Sequence, residues 1–123
     1  GGYQPMTQSD LPIVRRLVQN GAYSFSDHAY SRMLERDISF DDLEAILTSS
    51  TNQIIECQSP SNTPGKEHAD ERVLLYDPCS PKDAIVVFAV TFDTAPNLHI
   101  VTVENVDDTK WQRQSGVPCL ARK

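Results

Sequence analysis

His28, Arg32 and Arg36 recur at intervals of four residues. On a helix, successive members of such a series are offset by about 40°, so the three side chains line one side. Two arginines at this spacing repel each other by about 0.2–0.5 kcal/mol on an isolated helix, and keeping them calls for a counter-charge. A protein carboxylate or an external anion meets that need. His28 falls in the first helical turn, where the helix dipole favours a neutral imidazole able to accept a proton. A neutral histidine beside two guanidinium groups is equipped for metal-free RNA cleavage. The imidazole takes the 2′-hydroxyl proton, and the arginine forks hold the crowded phosphorane. The same spacing also fits a structural arrangement, with His28 bonded to a loop and the arginines paired with Glu35, Asp37 or more distant acids.

Other candidates are more isolated. Arg72 opens a strand, where it either binds substrate in the same cleft or is an edge charge beside Glu71. Thr102 and Glu104 close the last expected strand, where a hydroxyl or carboxylate can meet the helix stripe, or act as a β-former and a solvated charge. His68 sits in a polar loop with Glu67 and Asp70, without a second His or Cys at ligand spacing, so no metal site is expected. His99 reads as cover for a sheet face, and Trp111 as packing for the C-terminal segment in preference to presenting that segment to a partner. No glycine-rich phosphate loop, nucleophile elbow or paired-histidine zinc helix is present.

The elements that must position the stripe follow from local punctuation. A first helix is expected over 10–19, with Ser9 as its cap, Leu11, Val14, Leu17 and Val18 as its apolar stripe, and Asn20-Gly21 as its stop. Tyr23-Ser24-Phe25 read as a lead into a second helix, capped by Ser26 or Asp27 and reaching about Arg36. Ser39 caps a third helix, with Asp42 completing a capping box and Phe40, Leu43, Ile46 and Leu47 facing inward. From Gln53 the hydrophobic period changes. Strands are expected over 53–57, 71–76, 84–92 and 98–104, the third apolar on both faces and therefore central. Short links favour an antiparallel meander with the helices packed on one face. The resulting fold class is α+β, two or three N-terminal helices on a four-stranded antiparallel sheet. A single domain over 6–106 is followed by a tail, 107–123, with a short helical segment near Thr109 to Gln114. Residues 1–5 read as a remnant ahead of a natural start at Met6.

A chain of 123 residues can bury one core without disulfide or metal. Its longest apolar run, Ala84 to Val90, is too short for a bilayer, which takes about 20 residues. No secretory signal is visible, and the widely spaced Cys57, Cys79 and Cys119 fit reduced thiols in the cytoplasm better than a disulfide framework. The net charge is −6, with nine acids against Lys66 and Arg72 between Asp37 and Asp77. That sign excludes a non-specific nucleic-acid binder, but a locally basic face can still hold one phosphate or a short strand of RNA.

His28-Ala29, Arg32, Glu35-Arg36 and Ile38-Ser39 ahead of a helix form a pattern that resembles the domain-of-unknown-function family numbered 4258. Ile100-Val101-Thr102-Val103 resembles that family's closing strand, so the likeness runs from about Val18 to Glu104. The family is similar to the RelE, ParE and BrnT toxin group, which implies N-terminal helices on a four-stranded antiparallel sheet. It also implies a toxin-type, metal-independent endoribonuclease without cofactor, acting on RNA and restrained by an antitoxin-like partner in a bacterial toxin–antitoxin system. The resemblance carries His28, Arg32, Arg36 and Thr102 into the catalytic role. The alternative is a non-catalytic module of the same fold that grips a protein partner or an anionic ligand.

Overall fold

Three short helices form where capping and stop signals bracket apolar stripes. The computed structural model describes residues 5–62, 64–65, 70–91 and 96–123. A 3₁₀ turn at Gln8–Asp10 leads into α1 (Leu11–Gln19), which buries Leu11, Val14, Leu17 and Val18. Gly21, at φ +70°, closes α1, with its own N–H donating to the Val18 carbonyl and that of Ala22 to Leu17. α2 (Asp27–Glu35) is capped by Ser26, whose hydroxyl accepts from Ala29 N–H at 2.9 Å and donates to the Val101 carbonyl at 2.6 Å. α2 ends like α1, but with Asp37 at φ +53° where glycine is usual, and Ile38 N–H reaches back to the Met33 carbonyl at 2.9 Å. α3 (Phe40–Thr48) starts in the expected reciprocal box between Ser39 and Asp42.

The main sheet contains β1 (Tyr23–Phe25), β2 (Gln53–Gln58), β3 (Arg72–Tyr76), β4 (Ala84–Thr91) and β5 (Asn97–Asn105), in the order β1-β5-β4-β3-β2. The expected four-stranded antiparallel sheet is therefore corrected to a five-stranded mixed one. β1 runs parallel to β5, with Tyr23 opposite Leu98 and Phe25 opposite Ile100. Its three residues are too few to show alternation, and they read as a lead into α2 because Ser26 follows at once. Pairing with the otherwise bare edge of β5 satisfies backbone groups that a lead would leave to water.

The second correction concerns the C-terminal segment. In place of a helical segment, β6 (Trp111–Arg113) and β7 (Leu120–Arg122) form a separate antiparallel ribbon. Trp111 is the segment's one large apolar side chain before Val117, so no helical stripe exists to bury. β4 supplies the reason for a ribbon. Its Val86 and Phe88 pack with the helices, while Ile85 and Val87 face the other way and need cover of their own. Trp111 and Leu120 provide it, packing with Leu74 and Tyr76. Removing side chains of this size from water stabilises by about 1.5–3 kcal/mol each. The helices occupy one face of the sheet, as expected, and the ribbon occupies the other.

Among the described residues, no helix is long and apolar enough to cross a membrane. Lys66, Glu67 and His68 of the expected loop, and Phe92 and Asp93 at the expected strand end, lie outside the described residues.

Candidate functional site

β1 covers β5 only as far as Ile100. There Ser26 N–H donates to the Ile100 carbonyl at 3.0 Å, and the chain turns into α2, which packs beside the remainder of β5. Ala29 and Met33 of α2 point into the core. The opposite side of the helix is thereby brought to the end of β5, with the β6–β7 ribbon closing the third side. Between them lies a cavity of about 410 Å³. Its walls are His28, Arg32 and Arg36 from α2, Thr102, Glu104 and Asn105 from β5, and Asp107, Lys110, Trp111 and Arg122 from the C-terminal segment.

The helix stripe is only partly neutralised by protein carboxylates. Arg32 Nη1 pairs with Glu35 at 2.8 Å, and its Nε approaches His28 Nε2 at 3.5 Å, so the imidazole nitrogen is oriented as an acceptor. At that length the contact orients the ring without occupying it strongly. Arg36 differs. Its Nη1 is 3.7 Å from Glu35, beyond hydrogen-bond reach, and among the described residues neither Nε nor Nη1, both buried, has a hydrogen-bond partner. A buried donor left unsatisfied costs about 1–3 kcal/mol, and more when charged, so two on one guanidinium require an explanation. Those two atoms have almost no accessible surface, so what an anion entering the cavity meets is the charge of the guanidinium rather than these two donors.

The ribbon wall is built from a stack and a fork. Arg122 Nε and Nη2 donate to the two carboxylate oxygens of Glu56 at 3.0 and 3.1 Å, and its guanidinium carbon lies 4.1 Å from the centre of the Trp111 ring. That fork holds the Glu56 carboxyl below its usual range and Arg122 above its own. Asp107 accepts from the Thr109 hydroxyl and N–H at 2.6 and 2.9 Å, which holds it ionised to lower pH than an ordinary aspartate. Among the described residues, the Lys110 ammonium, the Thr102 hydroxyl and the Glu104 carboxylate make no hydrogen bond or ion pair. The cavity wall thus carries four permanent cations against Glu104 and Asp107, with Arg32 and Arg122 balanced from behind by Glu35 and Glu56.

Five residues singled out in the sequence as candidates for chemistry, His28, Arg32, Arg36, Thr102 and Glu104, line this one cavity. Arg72 does not. It opens β3 opposite Gln58, two strands away from β5. His99 sits at the other end of β5, with its Nδ1 3.1 Å from the Ser24 hydroxyl. Sequence reasoning missed Asn105, Asp107, Lys110 and Arg122, and preferred packing over a partner contact for Trp111. A signal was present in Trp111-Gln112-Arg113 and Leu120-Ala121-Arg122, where an apolar residue and an arginine alternate at the strand period. Among the described residues, no group of three or more His, Cys, Asp or Glu side chains is arranged to hold a metal.

A family model described as "Domain of unknown function (DUF4258)" matches residues 25–107, which span α2, α3 and β2 to β5 and stop short of β6. No curated protein and no solved structure matches the chain, so these comparisons do not bear out the expected likeness to the RelE, ParE and BrnT group.

Proposed function

Because the chain belongs to the DUF4258 family, a grouping that assigns no activity, we propose from the cavity itself that it is a metal-independent endoribonuclease. One observation carries the proposal: Arg36, held among the described residues only by a 3.7 Å ion pair with Glu35, shares a solvent-reachable hollow with an acceptor-oriented imidazole, His28. In the reaction, His28 takes the proton of a ribose 2′-hydroxyl, and the freed oxygen attacks the adjacent phosphorus. The bond from phosphorus to the 5′-oxygen breaks, and that oxygen takes a proton from the unpaired Lys110 ammonium. The products are a 2′,3′-cyclic phosphate and a 5′-hydroxyl end, and solvent returns both side chains to their starting states. Arg36 and Arg32 balance the charge that grows on the equatorial oxygens, and the Thr102 hydroxyl donates to one of them.

The motif adds biological context to this chemistry: a toxin-type enzyme, held in check by an antitoxin-like protein. The three cysteines, all free, suit a cytoplasmic setting. The test is cleavage of short single-stranded RNAs in EDTA. The wild type should leave cyclic-phosphate ends, and His28→Ala should be slower by about 10²–10⁴-fold with an unchanged circular dichroism spectrum. A second reading is a non-catalytic module that binds an anion, favoured by the Arg32–Glu35 pair, which removes one of the cations from service. Phosphate binding without cleavage of any RNA, with or without ribosomes, would select it.

A further inference from the structure

The ribbon wall has a feature that phosphate binding does not use. Arg122 is fixed in orientation from two sides, by the Glu56 fork in its plane and by the Trp111 indole against one face. Its side chain nevertheless remains 45% exposed and lines the cavity. What it offers there is the other face of an immobilised planar cation. Such a plane is a stacking surface for a nucleobase, because base π-systems stack on guanidinium groups much as they do on aromatic rings. Beside it stands Glu104, a cavity-lining carboxylate without a hydrogen bond or ion pair among the described residues, close enough to contribute to the raised pKa of Arg122.

We infer that the Arg122 face and Glu104 form a base-recognition subsite that selects guanine. The inference rests on the ribonuclease reading for the presence of RNA and names the base which that site prefers. A carboxylate can only accept hydrogen bonds, and guanine is the base with two adjacent donors on its pairing edge, N1–H and the exocyclic amino group. Cytosine and adenine each place a ring acceptor beside their amino group, and uracil flanks its single donor with two carbonyls. Each of these sets a lone pair against Glu104. The cavity volume of about 410 Å³ falls in the range of about 300–1,000 Å³ that accommodates small ligands, enough for one nucleotide spanning Arg36 and Arg122. Arg122 and its Trp111 backing lie beyond residues 25–107, so the subsite is completed by a segment outside the family match.

Trp111 is the sole tryptophan and lies directly beneath Arg122, so its fluorescence reports occupancy of the subsite. The experiment titrates the protein with 3′-GMP, 3′-AMP, 3′-CMP, 3′-UMP and inorganic phosphate, none of which requires cleavage. The expected result is 3′-GMP binding about tenfold or more tighter than the other nucleotides. Glu104→Gln should erase that preference while leaving inorganic phosphate bound at least as tightly as in the wild type, since it removes one of the two carboxylates of the cavity wall. Arg122→Lys, which keeps the charge and loses the plane, should weaken all four nucleotides and leave phosphate binding in place. Phosphate binding with equal affinity for the four nucleotides overturns the subsite and leaves the nuclease proposal standing. Guanine preference without RNA cleavage supports the subsite and counts against the nuclease. Absence of both phosphate and nucleotide binding overturns both.

Discussion

Replacing Arg36 by methionine should raise stability and weaken anion binding at once. Arg36 has two buried guanidinium nitrogens without partners, and its side chain is 21% exposed. Two unsatisfied donors at about 1–3 kcal/mol each would set an upper limit, but Glu35 at 3.7 Å and residual solvent shield the charge. A net gain of about 1–2 kcal/mol is the reasonable figure for Arg36→Met, which keeps most of the apolar stem in place. For a domain of this size each kcal/mol moves Tm by about 3–6 °C. The same substitution deletes charge-assisted bonds worth about 1.5–3 kcal/mol to a bound phosphate, so the Kd for inorganic phosphate should rise about 10- to 150-fold. The assay is a pair of thermal melts, without phosphate and with phosphate in large excess, together with calorimetric titration. Without phosphate the variant should melt higher. With phosphate at 100 times the wild-type Kd, the wild type gains about 2.7 kcal/mol and the variant only about 0.3–1.4 kcal/mol, so the variant's lead should shrink by about 1.3–2.4 kcal/mol, to nothing or to a reversal. A variant that melts lower than the wild type without phosphate, yet still binds the ion, would show that Arg36 is a structural cation and would refute the reasoning.

Four further outcomes follow from the same structure. Asp37→Gly should stabilise by about 0.5–1 kcal/mol, because glycine suits φ +53° and the Lys82 contact at 2.8 Å is to the retained backbone carbonyl; a thermal melt checks it. Ser26→Ala should destabilise by about 1–2 kcal/mol in urea unfolding, since it removes both the α2 cap and the bond to Val101. Glu56 and Asp83 are held below their ordinary values of 4.5 and 3.8 by hydrogen bonds from Arg122 and Arg113, so their contribution is complete above those values and is lost as pH falls through the lowered ones. Trp111 fluorescence should therefore report loosening of the ribbon below about pH 4.5 in the wild type, and Glu56→Gln should already be looser at neutral pH. Binding of a short RNA should depend weakly on salt, with a log–log slope near −0.7 for a single phosphate contact, and a slope steeper than about −2 would contradict a one-phosphate cavity.

The helices were legible because their signals are local. Ser26 and Ser39 sit one residue before a helix, Gly21 sits just past one, and each makes the bonds its position implies. The central place of β4 was legible for a similar reason: a run apolar on both faces has to be covered on both. β1 was hidden because three residues carry no period, and its pairing depends on a strand more than seventy residues away. The ribbon was hidden because Trp111 finds its partners only through tertiary packing. The site divides along the same line. His28, Arg32 and Arg36 lie on one helix, where spacing alone sets their common side, whereas Thr102 was marked only by its place at the end of the last strand and by the family motif. Arg122 and Glu56 are 66 residues apart, and nothing in either neighbourhood announces the other. Arg72 was misplaced because its strand parity is that of Leu74, on the ribbon side of the sheet, but two strands from β5.

The net charge of −6 opposes an RNA substrate only if the acids stand near the cavity, and most are engaged elsewhere. Asp10 and Asp42 accept backbone N–H groups at helix starts. Glu44 takes the Tyr23 hydroxyl, Asp77 the Thr51 hydroxyl, and Asp83 the Arg113 fork. These carboxylates perform folding tasks and do not line the cavity, and charges separated from a phosphate by solvent over more than a Debye length, about 8 Å, are largely screened at physiological salt. A phosphate in contact with Arg36 and Lys110 is not screened in that way. The global sign therefore lowers the rate at which RNA arrives, while the local sign decides whether a phosphate, once there, is held.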